Sequence, residues 1–135
     1  MKYLLDTDTC IAAMRGREPV LAKLGSIAPG DCVVSTVTVF ELTVGVAKCR
    51  EPKKESSKVA RFLSHVHLLP LEAEAAQRAG AVRAELERQG RAIGPYDVLL
   101  AGQALAHGLK LLSGNTGEFS RVDGLQLEGW QRRIG

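Results

Sequence analysis

The sequence predicts a three-layer α/β/α sandwich, in which helices cover both faces of a mostly parallel central sheet. Short apolar runs that can form buried strands alternate with longer segments whose apolar residues recur every three or four positions. The chain of 135 residues is 45% hydrophobic and 24% charged, which is typical of one soluble globular domain. Because there is no internal repeat or low-complexity tract, we expect residues 1–135 to form a single domain.

The strands are predicted from short runs of apolar and β-branched residues. In chain order these runs are residues 1–5, 32–35, 66–71, 109–112 and 125–127. The first run ends at Asp6-Thr7-Asp8, and a polar stretch from Ser113 to Glu118 follows the fourth. Polar residues directly after a buried strand lie at its carboxyl end, which is the edge of an open α/β sheet where ligands bind.

The helices are predicted from apolar periodicity and from residues that start or end helices. In chain order they include residues 10–14, 18–24, 37–46, 59–63, 72–89 and 95–107. Thr36 or Thr38 can cap the third helix, and Pro95 suits the first position of the last one because its missing N–H costs nothing there. Gly108 is expected to end that helix, and residues 50–58 are expected to be a charged surface segment.

The charge and cysteine content exclude several classes of protein. The net charge is +3, from 18 basic and 15 acidic residues, which is compatible with a polyanionic partner without requiring one. Cys10, Cys32 and Cys49 are odd in number and lack a CxxC spacing, so neither a disulfide framework nor a zinc site is expected. No uncharged run approaches the ~20 residues that a membrane span needs. We therefore expect a cytoplasmic protein without membrane contact.

Four acidic residues stand near the carboxyl ends of predicted strands or at a helix start. Asp6 follows the first strand, Glu41 lies about two helical turns beyond the second, and Glu118 follows the fourth. Asp97 lies in the first turn of a largely buried helix, where the macrodipole favours an anion. In a parallel sheet these acids can converge at one edge, where they would repel and raise one another's pKa values. Because Mg²⁺ or Mn²⁺ would relieve that repulsion, the pattern predicts a metal site suited to phosphodiester hydrolysis.

Four segments of the chain together resemble one known family. They are KYLLDTDTCI at the start, STVTVFELTVGVAKC in the second unit, AVRAELERQGRAIGPYDVLLAGQALAHG, and SGNTGEFSRVDGLQLEGW at the end. In this order and spacing the segments cover nearly the whole chain, and their combination is specific where any one alone would be weak. The chain resembles PIN-domain nucleases, and among them the VapC-type toxins of bacterial toxin–antitoxin pairs.

The resemblance implies roles for five residues. Asp6, Glu41 and Asp97 match the family's ligands for Mg²⁺, which Mn²⁺ can replace, while Asn115 and Glu118 match an Asn and an acid that complete or support the site. The implied activity is that of an endoribonuclease toxin that cleaves a structured RNA, either tRNA or rRNA, leaving a 5′-phosphate and a 3′-hydroxyl. A PIN-like fold, a homodimer formed through the opening helices and a small cognate antitoxin protein are also implied.

Each site residue also has a plainer structural interpretation. Asp6 can merely cap the following helix, Asp97 can be a favourable first-turn charge, and Asn115 can shape a turn. Glu41 is harder to explain in this way, because an unpaired Glu among apolar neighbours of a helix is costly. Asp8 departs from the family, where Asn or Ser is frequent, so its role stays open between metal contact, cap and support.

Other residues that could carry chemistry have weaker signals. The three histidines match no metal spacing, and Trp130 is expected to pack under the sheet edge instead of stacking on a base. Several basic residues could line a track for the phosphates of a nucleic acid, although a solvated surface is the default interpretation of each one. These residues are Arg15, Arg17, Lys48, Arg50, Lys53, Lys54 and Arg91.

Two alternative functions remain open at this point. The start LLDTDT, residues 4–9, also resembles the DxDxT motif of haloacid-dehalogenase-type phosphatases, in which the first Asp is a nucleophile and the second an acid/base. That mechanism needs a downstream Lys and a late acidic pair, whereas the late acid here is a single Asp97. The other alternative is a catalytically silent PIN domain that only binds RNA or protein, and the presence of Asp6 and Glu41 beside Asp97 argues against it. Release of phosphate from a small monoester would favour the phosphatase, and cleavage of RNA would favour the nuclease. The absence of both activities would favour the binding protein.

Overall fold

A computed structural model of the protein describes residues 1–130 and shows a five-stranded sheet in which every neighbouring pair of strands is parallel. The strands are β1 (Tyr3–Leu5), β2 (Cys32–Ser35), β3 (His67–Leu69), β4 (Lys110–Ser113) and β5 (Leu127–Gly129). Their order across the sheet is β3-β2-β1-β4-β5, which places the first strand at the centre. The predicted parallel sheet is therefore confirmed.

Seven α-helices flank the sheet within the described part of the chain. They are α1 (Thr7–Met14), α2 (Val20–Gly25), α3 (Thr36–Lys48), α4 (Pro52–Leu63), α5 (Ala73–Arg88), α6 (Pro95–His107) and α7 (Thr116–Phe119). Over residues 1–130, no helix is long and apolar enough to cross a membrane. Because helices pack on both faces of the sheet, the three-layer α/β/α prediction is confirmed.

Two separate hydrophobic cores lie on the two faces of the sheet. Successive side chains of a strand point to opposite faces, so each central strand contributes to both cores. Leu4, Val33 and Leu111 belong to the core that packs against α5 and α6. Leu5 and Leu112 belong to the other, which packs against α1, α2 and α4. Because β1 pairs in parallel with both β2 and β4, the carboxyl ends of these three strands meet at one edge of the sheet. The polar residues that follow the strands are thereby brought close together.

The close approach of α6 to α5 fixes the helix that carries Asp97. Gly102 of α6 faces α5 so closely that a Cβ at this position would lie 2.6 Å from the Cβ of Ala79. The next residue, Gln103, is fully buried and donates from Nε2 to the carbonyl oxygen of Leu69 at 3.3 Å. These contacts anchor α6 against both a neighbouring helix and the end of β3, so the position of its first turn is well determined.

The cap of α3 differs from the prediction. Ser35, and not Thr36 or Thr38, caps the helix, because the strand ends directly before the helix and leaves Ser35 in the extended conformation that a cap requires. Its Oγ accepts a hydrogen bond from the backbone N–H of Val37 at 2.9 Å. The hydroxyl of Thr36 instead accepts from the backbone N–H of Leu71 at 3.1 Å, and Thr38 is fully buried.

Helices α4 and α7 differ from the predictions: α4 begins earlier than expected, and α7 was not predicted. Residues 50–58, expected to be a charged surface segment, form most of α4, which begins at Pro52. The partly buried apolar face of α4 starts only at Val59, so the periodicity of the first half gave no helical signal. The short helix α7 was not predicted, because four residues that include Gly117 carry little helical propensity.

Candidate active site

Asp6 is fixed at the carboxyl end of β1 with only 3% of its surface exposed. Its Oδ1 caps α1 by accepting a hydrogen bond from the backbone N–H of Thr9 at 2.8 Å. Its Oδ2 accepts from Ser113 Oγ at 2.5 Å, which joins the ends of β1 and β4. Both carboxylate oxygens are oriented in this way, and each still has a lone pair for a further ligand.

Glu41 reaches the same edge of the sheet from the second turn of α3. Its Oε1 accepts a hydrogen bond from Thr7 Oγ1 at 3.0 Å. The same Thr7 oxygen lies 2.9 Å from Thr38 Oγ1. Because the single hydroxyl proton of Thr7 is donated to Glu41, Thr38 must be the donor of the second bond. Two buried threonines therefore hold a carboxylate that the sequence placed among apolar neighbours.

Asp97 lies in the first turn of α6 and is half-buried. Beside it, Glu118 Oε1 accepts from the backbone N–H of Gly94 at 2.9 Å, and Glu118 Oε2 accepts from Asn115 Nδ2 at 2.7 Å. These hydrogen bonds, that from Asn115 foremost, lower the pKa of Glu118. A Cβ at Gly94 would lie 3.2 Å from Asp97 Oδ2, which is tighter than ordinary van der Waals contact. Asn115 and Glu118 thus secure the start of the helix that carries Asp97.

Burial and neighbouring acids raise the pKa values of the three acids Asp6, Glu41 and Asp97. Burial, with smaller contributions from the charges of Glu118, Asp6, Glu41 and Asp8, raises the pKa of Asp97 to about 6. Burial also raises the pKa of Asp6 and of Glu41, and the charge of Asp8 adds to both. Hydrogen bonds to Asp6 and Glu41 lower their pKa values only in part. These effects show that acids from distant parts of the chain have converged.

The donor set at this edge fits a hard divalent cation. Asp6, Glu41 and Asp97 present carboxylate oxygens, the ligands that Mg²⁺ and Mn²⁺ prefer. Their pKa values are raised by burial first and by neighbouring acids second, and a bound cation would favour the charged form of each. Among residues 1–130, no three His, Cys, Asp or Glu side chains already stand in positions to hold one ion. Carboxylates that repel one another are expected to stay apart when no cation lies between them.

All five residues predicted for the site lie at this edge of the sheet. They are Asp6, Glu41, Asp97, Asn115 and Glu118. Asp8 is exposed in the first turn of α1 and contributes charge to the site. Thr7, Thr9 and Ser113 orient the acids, and this role was not predicted from the sequence. A signal was available, because small polar residues that directly adjoin acids at a buried strand end need partners.

We predict that Asp97→Asn makes the metal-free protein more stable than the wild type at neutral pH, because the wild type loses stability when Asp97 ionises. An acid whose pKa rises from 3.8 to about 6 on folding binds more protons when folded, so its contribution destabilises the fold as pH rises between those values. Because Asp97 is half-exposed, solvent screening leaves an effect on the order of 1 kcal/mol at neutral pH. Thermal unfolding in EDTA should show the variant to be more stable than the wild type near pH 7.5 but not near pH 4. Parallel pH profiles for the two proteins would contradict the prediction.

Comparison with known proteins identifies the family. The PIN domain family matches residues 3–125, which is most of the chain. The tRNA(fMet)-specific endonuclease VapC of Shigella flexneri is 37% identical over 130 residues, which cover 96% of this chain and 98% of the relative. Neither the phosphatase alternative nor the silent binding alternative is favoured by these relatives.

Solved structures of related proteins share the fold. DNA-bound VapBC from Salmonella typhimurium matches with a TM-score of 0.91 at 33% identity, covering 97% of this chain and 99% of the other. VapBC2 from Rickettsia felis, bound to a DNA fragment from its promoter, matches with a TM-score of 0.90 at 32% identity, covering 97% and 100%. PIN-domain nucleases of this kind depend on a divalent metal. The chain therefore belongs to the PIN domain family and is an endoribonuclease toxin of the VapC type.

Proposed function

We propose that Asp6, Glu41 and Asp97 hold Mg²⁺, which Mn²⁺ can replace, against the scissile phosphate of an RNA substrate. The observation that carries this proposal is that Asp6, Glu41 and Asp97 come from three separate elements to one edge of the sheet, close enough that the charges of Asp6 and Glu41 raise the pKa of Asp97. When bound, the metal would neutralise these charges, polarise the phosphate and lower the pKa of the attacking water. The chain contributes a fixed carboxylate, Asp6, and two more adaptable ones from α3 and α6.

Asn115 and Glu118 act in this proposal by fixing the start of α6. Their mutual hydrogen bond and the bond from Gly94 to Glu118 hold the turn in which Asp97 lies. No imidazole is placed to act as a general base. His65 and His67 lie before and at the start of β3, and His107 ends α6, so all three are remote from the strand ends that carry the acids.

The substrate we propose is a tRNA. The relative from Shigella flexneri is a tRNA(fMet)-specific endonuclease and matches this chain over nearly its full length. Cleavage by hydrolysis with water as the nucleophile would leave a 5′-phosphate and a 3′-hydroxyl. Sites confined to rRNA would instead indicate that this chain differs from that relative in its choice of RNA.

We predict that cleavage depends on the charge of Asp97 and on a divalent metal. Brief expression in a host, followed by sequencing of RNA ends, should reveal new 5′-phosphate ends in tRNA. Asp97→Asn and Asp6→Ala should abolish these ends. For Asp97→Asn the fold should survive, because the substitution keeps the side-chain size and only removes a charged ligand. Calorimetry should show at least about tenfold weaker Mn²⁺ binding by Asp97→Asn.

A matched control is Asp123→Asn, which removes an exposed acid from the loop between α7 and β5, away from the site. This variant should cleave as well as the wild type. Cleavage by the purified wild type in excess EDTA would count decisively against the metal site.

We also propose that the chain forms a homodimer through an exposed aromatic pair. The rings of Phe40 and Tyr96 lie 5.5 Å apart, with 51% and 44% of these residues exposed. Val44, one turn further along α3, is exposed on the same side of the helix. This patch lies on α3 and α6, not on the opening helices expected from the sequence. Since Phe40 and Tyr96 directly precede Glu41 and Asp97, a two-fold contact here would bring two acidic sites near one another.

A charge in this patch should disrupt the dimer. Val44→Glu should convert the protein to a monomer by light scattering at micromolar concentration, because an apolar interface cannot bury an unpaired carboxylate at low cost. Leu21→Glu, an equivalent change at an exposed residue of α2, should leave the dimer intact. A monomeric wild type would rule out this arrangement without affecting the chemistry.

The partner we propose is a small antitoxin protein whose tail binds beside the acids. A groove of about 270 Å³ runs between α1, α3 and α4 and reaches Glu41. Its apolar walls come from Ile11, Met14, Leu42, Val46 and Val59. A tail that folds on binding would bury these side chains, and an Arg on it could pair with Glu41 or Asp6 in place of the metal. The VapBC complexes from the two relatives with solved structures support such a partner.

The antitoxin proposal predicts the product of the neighbouring gene. That gene should encode a protein of fewer than about one hundred residues, below the usual size of an enzyme domain. Its co-expression should restore growth, and the two proteins should co-purify. Glu41→Gln should weaken the complex as well as abolish cleavage, because it removes the partner of the proposed Arg. A neighbour that neither restores growth nor co-purifies would favour a free-standing RNA-processing nuclease.

A further inference from the structure

Trp130 makes a specific polar contact that its expected packing role does not require. Its ring packs against the core that contains Leu5, Cys10 and Leu112. Its Nε1–H donates a hydrogen bond of 2.7 Å to Thr9 Oγ1, across 121 residues of sequence. The contact therefore connects the end of the described chain to the first turn of α1.

Thr9 passes this contact on to Asp6. The Thr9 hydroxyl accepts from the indole and donates to the carbonyl oxygen of Leu112 at 3.1 Å, so its one proton and its orientation are both determined. The backbone N–H of the same residue donates to Asp6 Oδ1 at 2.8 Å. A side chain held at two points thus fixes the donor to one oxygen of the carboxylate.

The indole ring also lies against the segment that supports the other oxygen. A Cβ at Gly114 would lie 2.7 Å from Trp130 Cζ2, so the ring covers this glycine at van der Waals distance. The preceding residue, Ser113, donates to Asp6 Oδ2 and accepts from the backbone N–H of Asn115 at 2.8 Å. Lateral movement of the turn from Ser113 to Asn115 would require the ring to move as well.

We propose that Trp130 is a positioning residue for Asp6, because it fixes the Thr9 and Ser113 donors to both carboxylate oxygens. Groups of this kind orient a metal ligand without touching the metal, and their loss typically lowers metal affinity by about 10- to 100-fold. The inference rests on the proposed metal site and extends it to a residue near the carboxyl end of the sheet's edge strand, β5.

The first test uses the fluorescence of Trp130, the one tryptophan in the chain. Titration of the wild type with Mg²⁺ alone should change the intensity or wavelength of its emission, with the midpoint that calorimetry gives for binding. Asp6→Asn, which keeps the tryptophan but removes the ligand charge, should lose this change. This test needs no substitution of Trp130, so it holds even where such a variant folds poorly.

The second test compares variants by Mn²⁺ calorimetry. Trp130→Phe keeps an aromatic ring but lacks the N–H donor, and it should bind Mn²⁺ about tenfold more weakly. Phe62→Leu, which reduces packing in the same core, should bind Mn²⁺ like the wild type. Gly114→Ala should also weaken binding, and the double variant with Trp130→Phe should lose less affinity than the two single losses combined, because a smaller ring leaves room for the new Cβ.

The outcomes separate this inference from the proposed metal site. Metal binding without a change in Trp130 emission, together with wild-type affinity in Trp130→Phe, would overturn the role of Trp130 and leave the metal site standing. Equal losses in Trp130→Phe and Phe62→Leu would reduce Trp130 to a packing residue. Failure of the wild type to bind either ion would overturn the metal site and this inference with it.

Discussion

Repulsion among the carboxylates at one edge of the sheet is the constraint on which the rest of the structure depends. Parallel pairing of β1 with β2 and β4 leaves no alternative to this convergence, because all three strands end on the same side. Burial disfavours the charged form of Asp97 and the neighbouring acids repel it further, so that its pKa is raised to about 6. The fold must therefore keep like charges close to one another, and the contacts that do so must come from groups other than the acids themselves.

Those contacts come from neutral donors. Asp6 is oriented by Ser113 and Thr9, and Glu41 by Thr7. None of the ion pairs in residues 1–130 involves Asp6, Glu41 or Asp97. A Lys or Arg in these places would neutralise the acids permanently and compete with a metal ion. Hydroxyl and backbone N–H groups orient the carboxylates without adding charge, which suits the proposed metal site.

Much of the fold was predictable because its signals are local. The β-branched run 32–35 forms β2 with the expected bounds, and Pro95 and Gly108 bound α6 as expected. The predictions were poorer where local signals compete. Ser35 and the threonines that follow it are all good caps, and only the end of β2 decides among them. The charged first half of α4 hides its periodicity, because its apolar contacts begin at Val59.

The sequence by itself determined the fold class and, through the family's motifs, the nuclease activity. These are properties of residue type, order and spacing, which a linear pattern carries. Only the tertiary structure decided how the acids are held. Ser113 reaches Asp6 across 107 residues, and Trp130 reaches Thr9 across 121. No local pattern encodes such contacts, because they depend on the order of strands in the sheet and on how the two cores pack against it.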